Sequence, residues 1–179
     1  MATTQPIRDI NQARELSNYY LKLGKIRNYV LIVMGIHTAL RISDLLRLTW
    51  DDVYDFDHCR VRESVSITEK KTGKTKVVFL NNRIVSALTL YIYAAKRGGS
   101  LIKSRKGGAI CRIQAYRIIR AAAEALKFCF RVSCHSLRKT FGYFAWKSGI
   151  SPAVIMEIYN HSSFAVTKRY LGVTQEDKN

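Results

Sequence analysis

The sequence predicts an α+β fold, mainly α-helical with one small antiparallel β-hairpin. Apolar residues recur at three- and four-residue steps through most of the chain. Alternation with a period of two is confined to one stretch, residues 60–80, and a basic, glycine-containing turn divides it. The length, 179 residues, suits one medium-sized domain with a single core.

In order, a polar start leads to Ile10, Ala13, Leu16, Tyr20 and Leu23 on one stripe, which predicts an amphipathic helix from Ile7 to Leu23, stopped by Gly24. Lys25 to Leu40 is apolar nearly all round and long enough to favour a buried helix over a strand, despite its β-branched run. Between Thr38 and Trp50 a short helix is expected, with Ser43 as its cap and Asp44 in its first turn, where the helix dipole favours a carboxylate. Arg41 then lies just ahead of that helix. Val61, Val65 and Ile67 alternate with Arg62, Ser64 and Ser66, Lys70-Lys71-Thr72-Gly73-Lys74 makes the turn, and Val77 to Leu80 forms the return strand. Asn81 to Arg97 is helical again through Ile84, Leu88, Tyr91, Ile92 and Ala95, and Gly98-Gly99 closes it. After a basic loop, Ile113, Tyr116, Ile119, Ala123 and Leu126 mark a helix within Ile110 to Phe128. Beyond Ser133 three helices are expected: Ser136 to Ser148, one opened by Ser151-Pro152 and running to Tyr159, and a short one from Ala165 to Leu171.

Lysine and arginine number 30 against 13 acidic residues, a formal charge of +17, which exceeds what solubility requires and points to a polyanionic partner. The basic residues run through the whole chain, not along one amphipathic helix or beside a long apolar run, so nucleic acid is favoured over a membrane surface. Tyr29 to Leu40 is broken by Gly35, His37 and Thr38 and is too short to span a bilayer, and the N-terminus has no signal-peptide pattern. The cysteines at 59, 111, 129 and 134 have neither metal-finger spacing nor the density of a disulfide scaffold. A cytoplasmic setting is expected, with no metal site and no cofactor.

One segment, Cys134 to Tyr170, holds His135, Arg138, His161 and Tyr170 at helix starts and turns. Phosphodiester cleavage needs an in-line nucleophile, cations on the non-bridging oxygens and a proton for the leaving alkoxide. Arg41 and Arg138 suit the oxygens, since a guanidinium donates two parallel hydrogen bonds and keeps its charge. His135 stands three residues before Arg138 and shares its helical face, and His161 is a second imidazole. Tyr170, after Lys168 and Arg169, is the candidate nucleophile; its attack would leave a phosphotyrosyl ester, which conserves the bond energy and needs no ATP.

Arg41 in Ala-Leu-Arg-Ile-Ser-Asp-Leu, His135-Ser-Leu-Arg138, and Asn160-His161-Ser-Ser followed by Tyr170 resemble the motif set of the tyrosine recombinases, the phage-integrase family. The resemblance covers the chain from about residue 8 to Tyr170 and implies that family's catalytic-domain fold over residues 1–179. It implies a site-specific recombinase or integrase acting on double-stranded DNA through a 3′-phosphotyrosyl intermediate. By the same resemblance Arg41, Arg138 and His161 bind the scissile phosphate, His135 assists proton transfer, Tyr170 attacks, and a lysine of the hairpin turn protonates the 5′ oxygen. Lys71 matches that lysine best, with Lys70 and Lys74 as the alternatives, and Asp44 matches a supporting acidic residue. A homotetramer on DNA, and monomers or weak dimers away from it, are implied as well. Two departures stand out: Tyr159-Asn160 replaces the usual Leu-Gly before the second histidine, and the chain begins too late to hold the helical core-binding domain of most relatives. It is either a fragment of a longer integrase or similar to short recombinases of the fimbrial phase-switch type. The residues after Tyr170 are candidates for a segment passed to a neighbouring subunit.

Singly, these residues have ordinary explanations: Arg41 as one exposed arginine, the histidines as satisfied turn residues, Tyr170 as one of 10 tyrosines, most of them core. A competing function is a catalytically silent DNA-binding regulator or integrase remnant, and a third is a relaxase working on single duplexes. His37 and His58 fit no motif and are read as structural.

Overall fold

The computed structural model describes residues 4–172. The chain enters as an extended strap over residues 4–9, followed by α1 (Ile10–Lys22), α2 (Ile26–His37) and two single-turn helices, α3 (Ile42–Leu45) and α4 (Trp50–Val53). Strands β1 (Tyr54–Asp55) and β2 (Arg60–Val61) pair in a small ribbon, and β3 (Ser64–Thr68) and β4 (Thr75–Phe79) form the main hairpin. Then come α5 (Asn82–Tyr91) with a 3-10 turn at Ile92–Ala94, α6 (Arg112–Ala125), α7 (Cys134–Lys147), α8 (Pro152–Tyr159) and α9 (Phe164–Leu171). Mainly helical, with small antiparallel sheets, this is the architecture expected from periodicity. Among the described residues, no helix is long and apolar enough to cross a membrane.

α2 is the axle. Tyr29 to Ile36 are all buried, and α1, α5 and α7 pack around them, because a helix apolar on every side is stable only when surrounded. α1 is shorter than expected: Asp9 caps it by accepting from the Asn11 amide at 2.6 Å, so Ile7 stays extended. Ile7 is nonetheless fully buried, its amide donating to Thr140 Oγ1 at 2.9 Å on α7. Ser43, expected as the cap of α3, lies inside it, and Arg41 takes the cap position.

The hairpin pairs Ser64 with Phe79, Ser66 with Val77 and Ile67 with Lys76. Cross-strand partners share a face, so buried Val65 and Ile67 draw Val78 and Lys76 inward and leave Val77 and Phe79 on the outside. Phe79 is 77% exposed and Val77 58%. The return strand is therefore apolar on its solvent side, contrary to the simple reading of its composition.

α8 and α9 do not share the main core. Ala39, Ala145, Ile155, Tyr159 and Leu171 form a second, smaller cluster against α7, with Phe141, Trp146, Ile158 and Tyr170 around it. Gly142 makes the approach possible: a Cβ there would meet Leu171, and the Tyr159 hydroxyl at 2.5 Å.

Candidate active site

Arg41 follows a reversal at buried Ala39, whose φ is 55°, and enters α3 with an extended backbone. His135 and Arg138 occupy the first turns of α7, which opens with a reciprocal capping box between Ser133 and Ser136. Arg138 is 3% exposed, and its guanidinium carbon lies 4.8 Å from the centre of the Tyr159 ring. Its Nη1 is buried and has no hydrogen-bond acceptor among the described residues. A buried guanidinium with a donor to spare is suited to meet an anion, because its charge is already desolvated and its fork pre-aligned.

His161 follows Asn160, which ends α8 in the left-handed conformation at φ 54°. The departure from Leu-Gly thus has a physical reading, since asparagine tolerates the left-handed backbone that glycine would otherwise supply. Tyr159, in the leucine's place, donates its buried hydroxyl to the Arg138 carbonyl at 2.6 Å and stacks on His161 at 5.3 Å. The His161 ring meets Tyr170 edge-on at 5.0 Å, and its Nδ1 is 3.0 Å from Thr167 Oγ1. Tyr170, half-buried on α9, also has Lys139 Nζ 5.1 Å from its ring centre. Lys139 in turn donates to the Thr4 carbonyl at 2.7 Å, and Arg8 caps the end of α9 by donating to the Gly172 carbonyl at 2.6 Å.

The electrostatics follow from crowding and burial. Burial raises the Tyr170 pKa above its usual value, and the charge and hydrogen bond of Arg138, with the charge of Arg41, offset this only in part. His161 is lowered by burial and by Arg138 and Arg41, and His135 by burial and by Arg138, Lys139, Arg41 and Lys71. Both imidazoles are therefore neutral near pH 7. Burial raises Cys134 to about 11, which makes it an inert thiol beside the site.

Of the residues singled out in the sequence, Arg41, His135, Arg138, His161 and Tyr170 are brought into one electrostatic neighbourhood. Lys71 is not. It sits exposed on the hairpin turn, and its side chain makes no hydrogen bond or ion pair among the described residues, although its charge reaches His135. Asp44 is 1% exposed and accepts from the Lys70 amide at 3.0 Å, which ties the turn to α3.

Two residues at the site, Glu69 and Lys76, carry no family motif. Glu69, fully covered, pairs with Arg41 Nη1 at 2.6 Å and Lys76 Nζ at 2.9 Å. Burial alone would raise its pKa, but hydrogen bonds from Lys76, Arg41 and Thr72 overcome this and hold it at about 2. Asn160 Nδ2 donates to the same carboxylate at 3.1 Å. The signal for Lys76 was available in the hairpin register, which puts it on the face of Val65 and Ile67. Glu69 gave none, and Asn160 stood out only as a departure from the motif, because their contact crosses the chain.

A sequence model of the phage integrase family matches residues 5–177. The chain belongs to that family. Within it, this integrase-family chain is 38% identical over 177 residues to the probable integrase/recombinase YoeC of Bacillus subtilis (strain 168), covering 98% of this chain and 93% of that protein. It is 29% identical over 157 residues to the tyrosine recombinase XerD of Mycobacterium tuberculosis (strain CDC 1551 / Oshkosh), covering 83% of this chain but 49% of XerD. Its fold superposes on the XerH site-specific recombinase bound to palindromic difH substrate, in a post-cleavage complex, with a TM-score of 0.78 at 17% identity. That match covers 97% of this chain and 50% of XerH, so the integrase-family chain spans about half the length of these two relatives. The fold is that of tyrosine recombinase catalytic domains. Residues 173–179, which include most of the candidate exchanged segment, lie outside the described residues.

Proposed function

We propose that this chain is a site-specific recombinase that breaks and rejoins double-stranded DNA by transesterification, through a 3′-phosphotyrosyl intermediate on Tyr170. The observation that carries the reading is the buried, unpartnered Nη1 of Arg138 beside the cluster of Tyr170, His161 and Arg41. The chain's charge of +17 supplies the attraction to DNA, and family membership, with the Tn1549 transposon integrase solved in complex with circular intermediate DNA, supports the same partner.

In this reading Arg41, Arg138 and His161 bind the scissile phosphate. His161 Nδ1 is engaged by Thr167 Oγ1 at 3.0 Å, which fixes the ring and leaves Nε2 as the nitrogen that faces the phosphate in this reading. Tyr170 Oη attacks phosphorus as the bond to the 5′ oxygen breaks. Neutral His135 is suited to take the phenol proton, and Lys71, with Lys70 and Lys74 as alternatives, gives a proton to the leaving 5′ oxygen. Strand rejoining is the same sequence in reverse with a new 5′ hydroxyl, on DNA held by four copies of the chain.

The test is a nicked suicide duplex bearing the cognate site, selected from random DNA by binding. Wild type forms a covalent adduct, Tyr170→Phe forms none, and Arg138→Ala slows the adduct about 100- to 1000-fold, the cost of one lost transition-state donor, while non-specific binding weakens only slightly. DNA binding without any adduct from wild type would instead mark a silent DNA-binding protein. An adduct that survives Tyr170→Phe would place the nucleophile elsewhere.

A further inference from the structure

We propose that Glu69 is the positioning residue of this site. Its carboxylate clasps Arg41, the hairpin turn and Asn160, and so holds Arg41, Lys71 and His161 in register for strand cleavage. The inference rests on the reaction proposed above and concerns a residue that belongs to none of the motifs.

Glu69 is a fully covered carboxylate in a strongly basic protein, and its four donors come from three pieces of chain, two of them from its own hairpin. Arg41 Nη1 (2.6 Å) lies at the start of α3, Lys76 Nζ (2.9 Å) on β4, Thr72 Oγ1 (2.9 Å) in the hairpin turn, and Asn160 Nδ2 (3.1 Å) at the corner between α8 and α9. A structural ion pair needs one partner. Here each donor other than Lys76 is, or adjoins in sequence, a group assigned to the reaction: Arg41 itself, Thr72 next to Lys71, and Asn160 next to His161.

The turn is held on both sides of Lys71. The Lys70 amide donates to Asp44 and the Thr72 hydroxyl to Glu69, while the turn closes on itself through Gly73 N to the Glu69 carbonyl and Glu69 N to the Lys74 carbonyl, both 2.9 Å. Lys71 is thus the free side chain between two tethered neighbours, aimed by its backbone and not by contacts of its own. Neutralising Glu69 would leave Arg41 and Lys76 facing each other near Arg138 without a counter-charge, and their repulsion would open the clasp.

The test compares full-length variants on two suicide duplexes, one with the ordinary 5′ oxygen at the scissile bond and one with a bridging 5′ sulfur. A thiolate leaves without a proton because its conjugate acid is far stronger than an alcohol, so the sulfur substrate removes the need for the acid on the hairpin. Thr72→Val is isosteric and exposed, so its folding is safe. It is expected to slow adduct formation roughly 10-fold on the oxygen substrate and to approach the wild-type rate on sulfur, at unchanged DNA binding. Glu69→Gln, which also frees Arg41, is expected to lose about 100-fold on oxygen, the scale set by ångström misplacement, and to recover only in part on sulfur. Adduct formation within twofold of wild type in both variants would overturn the proposal. So would equal losses on the two substrates, which is what a partly unfolded protein or a merely structural ion pair would give. If wild type itself makes no adduct, the reaction has failed and not the clasp.

Discussion

Gly142→Ala tests the packing that holds the proposed nucleophile. Inside a solvent-facing helix this change would stabilise, by about 0.5–1 kcal/mol, because glycine loses more backbone entropy on folding. Here the added methyl would strike Leu171 on α9, and on α8 the Tyr159 hydroxyl at 2.5 Å and Cε2 at 2.8 Å. All are backed by the second core cluster, so α8 and α9 must shift outward by on the order of 1 Å to restore normal contact. Overpacking of this kind costs about 1–3 kcal/mol, which outweighs the helix gain and leaves a net loss of about 1–2 kcal/mol. For a chain of this size that lowers Tm by on the order of 4 °C. The effect on chemistry is larger, because Leu171 adjoins Tyr170 and Tyr159 stacks on His161. Adduct formation on a suicide duplex should fall about 100-fold, with DNA binding retained. A variant as stable as wild type, cleaving at the wild-type rate, would refute the reasoning that α7 seats α9 through this glycine.

Three further outcomes are expected. Asn160→Gly, which keeps the left-handed backbone, should be more stable than Asn160→Ala by about 1–2 kcal/mol in urea unfolding. Ile67→Ala on the inner hairpin face should cost about 2–5 kcal/mol, whereas Phe79→Ser on the outer face should change stability by less than about 0.5 kcal/mol. The pH dependence has two windows. His37, His135 and His161 have folded pKa values below 6.5, so the unfolded state binds more protons and stability falls as pH drops below 6.5. Glu69 has its folded pKa at about 2, so its contribution is present above 4.5 and is lost as pH falls from there towards 2. Thermal melts from pH 7 to pH 3 should show both, and Glu69→Gln should shrink the lower one, leaving the part due to Asp55, whose pKa is lowered by hydrogen bonds from His58.

The helices were legible because each buries one stripe or, for α2, its whole circumference, and that requirement is written at local spacing. Their ends were less so: Asp9 moved the start of α1 past Ile7, since a side-chain cap outcompetes one more helical turn. Arg41, His135, Arg138, His161 and Tyr170 could be picked out from motif order, as chemical type and spacing are properties of the chain alone. Which of them meet, and through what, depended on contacts between distant segments. Glu69 collects donors from three stretches, Lys76 enters the site only because the hairpin register turns it inward, and Asn160 acquires its role from a carboxylate on the hairpin. A lone glutamate in a basic turn reads as a solvated charge until folding buries it among cations. Side-chain identity and local period were thus determined by sequence, whereas the burial and pairing of charges were decided by tertiary packing, because desolvation depends on which surfaces close over a group and not on its neighbours along the chain.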